Sequence, residues 1–185
     1  NEKVVGIAAD MERPGLTALN TAVMTDGLSI NVNKKKSVNI PIQILFLTTD
    51  HFEGECHTRT VLTVEDKCDV ILFERHVSLG QAKGLINNII EFSIGSDSSL
   101  EHIILQQAGI NLHHISSRFG CLDKNAKVSG FQMVTGAGLS RAETVVSLSG
   151  EGSNAKFTGI ALVRGRQHCD FTTDISHDAP RCLST

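Results

Sequence analysis

The sequence predicts an all-β chain whose short strands coil into a ladder of stacked repeats. Three observations carry this. From residue 99 to 185 the chain reads as one short strand after another, broken at nearly regular intervals by Gly, Asn, Asp and Ser. The strand starts step along by roughly a dozen to sixteen residues, the spacing of strands joined by tight turns. Two steps make about thirty residues, in the period range of stacked repeats. Nothing here has the length or rhythm of a helix. A single coil cannot bury its own face, so such an array closes its core by stacking each coil on the next.

The strands expected in this stretch are 100–107, 112–119, 127–135, 142–148, 156–163 and 170–176. Before them, 4–9 (Val-Val-Gly-Ile-Ala-Ala) is a small apolar strand, and Arg13-Pro14-Gly15 a turn. Leu16, Leu19, Ala22 and Val23 recur at helical spacing, which predicts a short helix over 16–24. Gly27 after Thr25-Asp26 is placed to stop it. Alternation then marks strands at 28–32 and 38–44, and the more fully apolar 42–48 reads as a buried strand. Residues 56–64 and 70–76 alternate across an Asp66-Lys67 turn. Residues 80–92 fit a helix or a strand, and the Gly95-Ser96-Asp97 turn that follows favours a strand over 87–94.

Composition sets the bounds. At 185 residues, with 41% hydrophobic and 20% charged, the chain can bury a core as one domain. Eight Phe with no Trp or Tyr leave that core to Ile, Leu and Val. A net charge of −3 argues against a nucleic-acid surface, and the one basic run, Lys34 to Lys36, reads as a solvated turn. Five irregularly spaced cysteines do not make a disulfide framework, and no Asn-x-Ser/Thr sequon occurs, which points to a reducing, cytoplasmic setting or an organelle stroma or matrix. No apolar run is long enough to cross a bilayer. The opening on Asn1 and the stop at Thr185 read as two cut ends, whose strand edges are expected to invite a partner or self-association.

Motifs for chemistry are few. No phosphate-binding Gly-x4-Gly-Lys-Ser/Thr loop, His-Glu-x-x-His or Gly-x-Ser-x-Gly occurs. Residues 150–155, Gly-Glu-Gly-Ser-Asn-Ala, match a dinucleotide pattern, but a strand rather than a helix follows, so this is a turn. One constellation stands out: His168 and Cys169, His177 and Cys182 within fifteen residues. Thiolate and imidazole suit iron–sulfur clusters, zinc and copper, so Cys169, His177 and Cys182 are candidate metal ligands. The spacing is not that of a zinc finger, and by spacing alone Cys169 packed as a small hydrophobe with His177 capping a turn is the favoured reading. His113 and His114 point to opposite faces of a strand, one buried and bonded and the other solvated, and Cys56-His57 has the same geometry. Cys68 and Cys121 fall at presumed turns.

Four stretches resemble the SufB/SufD family of iron–sulfur cluster assembly proteins. They are 18–22 (Ala-Leu-Asn-Thr-Ala) with Asp26-Gly27, 72–76 (Leu-Phe-Glu-Arg-His), 100–106 (Leu-Glu-His-Ile-Ile-Leu-Gln) and 177–184 (His-Asp-Ala-Pro-Arg-Cys-Leu-Ser). They fall in the family's order and span nearly the whole chain. The Leu-Glu-His segment and the lack of a Trp-containing insertion resemble SufD more than SufB.

The resemblance implies a right-handed parallel β-helix, a single core domain over 1–185 that lacks the family's flanking helical regions. It implies a scaffold rather than an enzyme, with a SufB-like subunit and a SufC-like ATPase as partners. A transient Fe–S cluster would belong to the full complex, with none expected on this chain alone. The family positions most closely tied to cluster assembly would fall beyond Thr185. Of the 177–184 motif, His177, Pro180, Cys182 and Ser184 carry over in location only. Two other functions fit a solenoid: a carbohydrate-active enzyme, which the lack of Trp, Tyr and paired carboxylates disfavours, and a purely structural interaction module.

Overall fold

The computed structural model describes residues 15–33 and 40–185. The strand expected at 4–9, Arg13-Pro14 and the Lys34 to Lys36 run lie outside them. The described residues form one helix, α1 (Leu16–Val23), and twelve strands. These are β1 (Asp26–Val32), β2 (Ile42–Thr48), β3 (Glu53–Val64), β4 (Asp69–Ser78), β5 (Lys83–Ile94), β6 (Ser99–Gln107), β7 (Leu112–Leu122), β8 (Lys127–Val134), β9 (Leu139–Leu148), β10 (Asn154–Ala161), β11 (His168–His177) and β12 (Leu183–Ser184).

Odd strands form one six-stranded sheet in the order β1-β3-β5-β7-β9-β11, and even strands the other, β12-β10-β8-β6-β4-β2. Every pairing is parallel. Glu53 faces Lys83, and Asp69 faces Ser99, so one coil takes thirty residues there, as the turn spacing predicts. The molecule is a parallel β-solenoid. Consecutive strands belong to opposite sheets, so each residue stacks on its counterpart one coil away.

The turns repeat with the coils. Lys67, Asp97, Asn125, Gly152 and Arg181 all take left-handed backbone, which suits Asn, Asp and Gly better than the basic residues. They form a column. The N–H of Lys67 donates to Ser96, that of Asp97 to Lys124, that of Asn125 to Glu151, and that of Gly152 to Pro180. The sequence 150–155 is thus the turn it was expected to be.

Several local expectations are corrected. Helix α1 ends where Met24 becomes extended, and Gly27 lies inside β1. A Cβ there would stand 2.6 Å from the Arg59 carbonyl oxygen, so Gly27 serves close strand approach rather than helix termination. The helix also turns its polar side inward. Thr17 and Asn20 are buried, while Leu16, Leu19 and Val23 are exposed. Asn20 Nδ2 donates to the carbonyls of Thr58 and Asn87, and Asn87 Nδ2 donates back to the Leu16 carbonyl. Specific hydrogen bonds to the sheet, not an apolar stripe, set the face.

Strand β2 is not buried. Leu45 and Leu47 point outward and are about half exposed, and among the described residues β2 is the edge of its sheet. The region at 80–92 is strand from Lys83 onward, with both faces of β5 covered, so alternation is lost there. Cys121 lies within β7 rather than at a turn. Among the described residues no helix is long and apolar enough to cross a membrane.

Candidate functional site

The inward faces of the two sheets divide into two halves along the strands. Toward one end Val70, Leu72, Phe92, Ile94, Leu100, Leu122, Val128, Val146 and Leu148 form the main apolar core, all nearly inaccessible. A few residues along the same strands, the interior becomes polar. Glu74, His76, Asn88, His102, Gln106, His114, Arg118, Gln132 and Thr144 are all buried.

Alternation explains how they come to face inward. Leu72, Glu74 and His76 are two apart in β4 and share its inner face. Register then stacks His76 on Gln106 and, in the other sheet, Asn88 on Ser116.

Glu74 is the hub. Its carboxylate accepts from His76 Nε2 at 2.7 Å, Asn88 Nδ2 at 2.7 Å and His102 Nε2 at 3.1 Å. Burial pushes its pKa up, but the hydrogen bonds and charge of His102 and His76 outweigh this and hold it well below the usual carboxylate range. Burial pushes His102 down, against the hydrogen bond to Glu74. Burial, and then the charge of His76, push His114 well down. The His76 ring stacks on Phe46 at 4.6 Å and meets His114 edge-on at 4.5 Å.

His114 is buried as expected, with His113 exposed, but among the described residues neither of its ring nitrogens has a hydrogen-bond partner. The Cys56-His57 pair follows expectation more closely, with His57 donating to Glu55 at 3.2 Å and accepting from Asn87 Nδ2 at 3.2 Å. Burial also lowers Arg118, to about 10, with Glu74 partly offsetting it, so it remains a cation at neutral pH.

The sequence reading missed this cluster. The signal was there: an ionisable residue at an inward position of an otherwise apolar strand, as Glu74 is between Leu72 and His76. Two of the family-like stretches, 72–76 and 100–106, supply its Glu74, His76, His102 and Gln106. The first stretch, 18–22, supplies Asn20, which pins α1 to the sheet.

The expected ligands lie elsewhere, in the last coil. Cys169 is near the start of β11, facing Ser140 across the ladder, and burial pushes its thiol up. His177 ends the same strand, opposite Leu148, and bonds Ser184 Oγ at 2.9 Å. Cys182 Sγ lies 3.3 Å from Ser153 Oγ and 3.6 Å from the Leu148 carbonyl, packed against the apolar core. Thus His177 and Cys182 share one end of the coil. Cys169 is eight residues of strand away from His177, roughly 26 Å at the usual rise. Among the described residues no three His, Cys, Asp or Glu are grouped to hold a metal ion, and all five cysteines are free.

Residues 46–185 match the family model "SUF system FeS cluster assembly, SufBD core domain". An iron–sulfur cluster assembly SufBD family protein of Synechocystis sp. is 26% identical over 171 residues, covering 88% of this chain and 38% of the relative. Iron–sulfur cluster assembly protein SufD of Bacillus subtilis is 23% identical over 175 residues (93% and 39%). SufB of the same organism is 25% identical over 169 residues (91% and 36%). The chain therefore spans well under half the length of these relatives, and its identity to SufB and to SufD is alike.

Proposed function

This chain belongs to the SufBD core-domain family of the SUF iron–sulfur cluster assembly system, and on that premise we propose that it is a SufD-like scaffold subunit in building Fe–S clusters. The observation that carries the reading is the extent of the match, which runs from within β2 through every later strand of the solenoid. The Leu-Glu-His segment at 100–102 favours SufD over SufB.

A solenoid suits a scaffold. Its coils are locked by continuous parallel ladders, so groups on its rim keep fixed separations. The partners are a SufB-like subunit and a SufC-like ATPase. The nascent cluster is cargo. His177 and Cys182, at one end of the last coil, would lend ligands to a site completed by another subunit, and Cys169, at the other end of β11, to a separate one. The cysteines act as thiolates, so loading weakens as pH falls.

Co-expression with a SufB-type subunit and a SufC-type ATPase, followed by affinity capture and assay of iron and acid-labile sulfide, tests this. The three chains should copurify with iron and sulfide, and Cys182→Ala should lower the iron content while leaving the complex intact. Recovery of this chain without partners would sink the scaffold reading. Unchanged iron in Cys169→Ala, His177→Ala and Cys182→Ala would move the ligand role to the partners.

A further inference from the structure

The outer faces of the two sheets are finished differently. On the odd-strand sheet, Ile89, Glu91 and Phe119 point outward yet are inaccessible, and α1 is hydrogen-bonded over β3 and β5. Among the described residues no helix packs on the even-strand sheet. Alternation and register set its outward residues in rows across the strands. Phe73, Ile103 and Phe131 form one row, and Leu45, Arg75, Leu105 and Met133 the next. None of them is buried, although β4, β6 and β8 each have a paired strand on either side. Ile71 and Glu101, bordering the first row, are exposed.

Strand spacing and rise give β2, β4, β6 and β8 a face of roughly 19 by 23 Å, or about 440 Å2 in projection. That is the size of the largest patches on monomers, which are often functional. It is just over half of the ~800 Å2 per partner of a standard interface, so it suits a reversible contact rather than a permanent one. Phe, Met and Arg are also the residue types that interfaces favour. Arg75 stands inside the apolar field, its Nε donating to Gln107 Oε1 at 3.1 Å. Among the described residues neither Arg75 nor Glu101 has an ion-pair partner.

We propose that a second copy of this chain packs on this face, sheet against sheet about a two-fold axis. The face is complementary to itself. Leu105 lies beside Arg75 on the next strand, and Glu101 is four residues before it, so the two charges stand roughly 14 Å apart. A two-fold axis lying between the sheets and crossing the midpoint of that line sets each Arg75 over the other copy's Glu101. The midpoint falls between Phe73 and Ile103, so both side chains meet their own counterparts. The same rotation brings Leu45 over Ile71 and Phe131 against Leu105 and Met133. Arg75 set against apolar groups would lose its hydration without return, so the charge pair fixes the register. The contact uses the flank of the rod, leaves the terminal strand edges free, and does not depend on the scaffold reading.

Sedimentation velocity of the chain through the micromolar range tests this. A concentration-dependent equilibrium between monomer and dimer is expected. Ile103→Lys sets like charges together at the axis and should leave a monomer. Arg75→Glu and Glu101→Arg should each weaken the dimer by about tenfold or more, and the two together should restore it, which a merely sticky surface would not do. Thermal melts confirm that each variant folds, and if Ile103→Lys does not, the charge swap decides. A monomer at every concentration, a dimer that Ile103→Lys leaves intact, or a double swap that recovers nothing would overturn the proposal. So would a monomeric Ile103→Cys chain whose new thiol is shielded from alkylation only when a SufB-type subunit is added, since the face would then belong to that subunit.

Discussion

The two halves of the solenoid interior are built from the same strands and the same stacking rule, yet they are held by opposite physics. In β5, Phe92 and Ile94 serve the apolar half and Asn88 the polar half, and in β4 the change comes between Leu72 and Glu74. In the apolar half each layer needs only shape to fit its neighbours. In the polar half each buried group needs a partner, and the partners come from the same strand, the facing sheet and the next coil: His76, Asn88 and His102 all reach Glu74. Apolar stacks tolerate independence, whereas polar stacks are linked. Among the described residues, buried side chains with unpartnered polar atoms include His102, Gln106, His114, Arg118 and Gln132 of the polar half, and also Arg59 beneath α1.

The largest effect should come from the apolar half. Phe92 is fully buried, and Phe92→Ala should cost about 3–5 kcal/mol in denaturant-induced unfolding. A loss below 1 kcal/mol would mean that the core collapses around the void and that the halves are less distinct than they look. Next, Glu74→Gln keeps shape but turns an acceptor into a donor against His76, Asn88 and His102. It should cost about 1–3 kcal/mol, and Asn88→Ala should cost less in that background than in the unaltered chain, since the two are linked. Additive costs would break the contrast between independent and linked halves.

Acid should act chiefly on the polar half. His102 and His114 have depressed folded pKa values, so the unfolded chain binds more protons than the folded one below about pH 6.5. Stability should therefore fall as pH drops from there, by up to about 1.4 kcal/mol per pH unit for each histidine. Glu74 is also depressed, and its contribution, complete above about pH 4.5, is lost on further acidification. His114→Leu should flatten the first part of this profile and Glu74→Gln the second, as read by urea unfolding across pH. The smallest effect belongs to the outer surface. Lys83 and Glu53 pair at 3.0 Å, but both are more than half exposed, so Lys83→Ala should change stability by less than about 1 kcal/mol.

Much of the architecture was legible in the residues alone. Turn residues at regular spacing gave strands such as β6 and β8 within a residue or so of their observed bounds, and the thirty-residue period announced the coils. Where both faces of a strand are covered, as in β5, alternation vanishes and a helix remained an option. Edge position is equally invisible, so the apolar run that became β2 read as buried. The expected ligands Cys169, His177 and Cys182 were chosen for closeness in sequence, but a strand separates its two ends, and only His177 and Cys182 finish near each other. The residues that do meet, Glu74 with His102 and Asn88, are 28 and 14 positions apart.

By itself, then, the sequence determined the period of the coil and which residues punctuate it, because turn chemistry and alternation act over a few neighbouring residues. Which coil lies against which, and hence that Glu74 gains three donors while Arg118 keeps one N–H free, was decided only by the tertiary structure. Register across parallel strands joins residues a full coil apart, and no local preference encodes that distance.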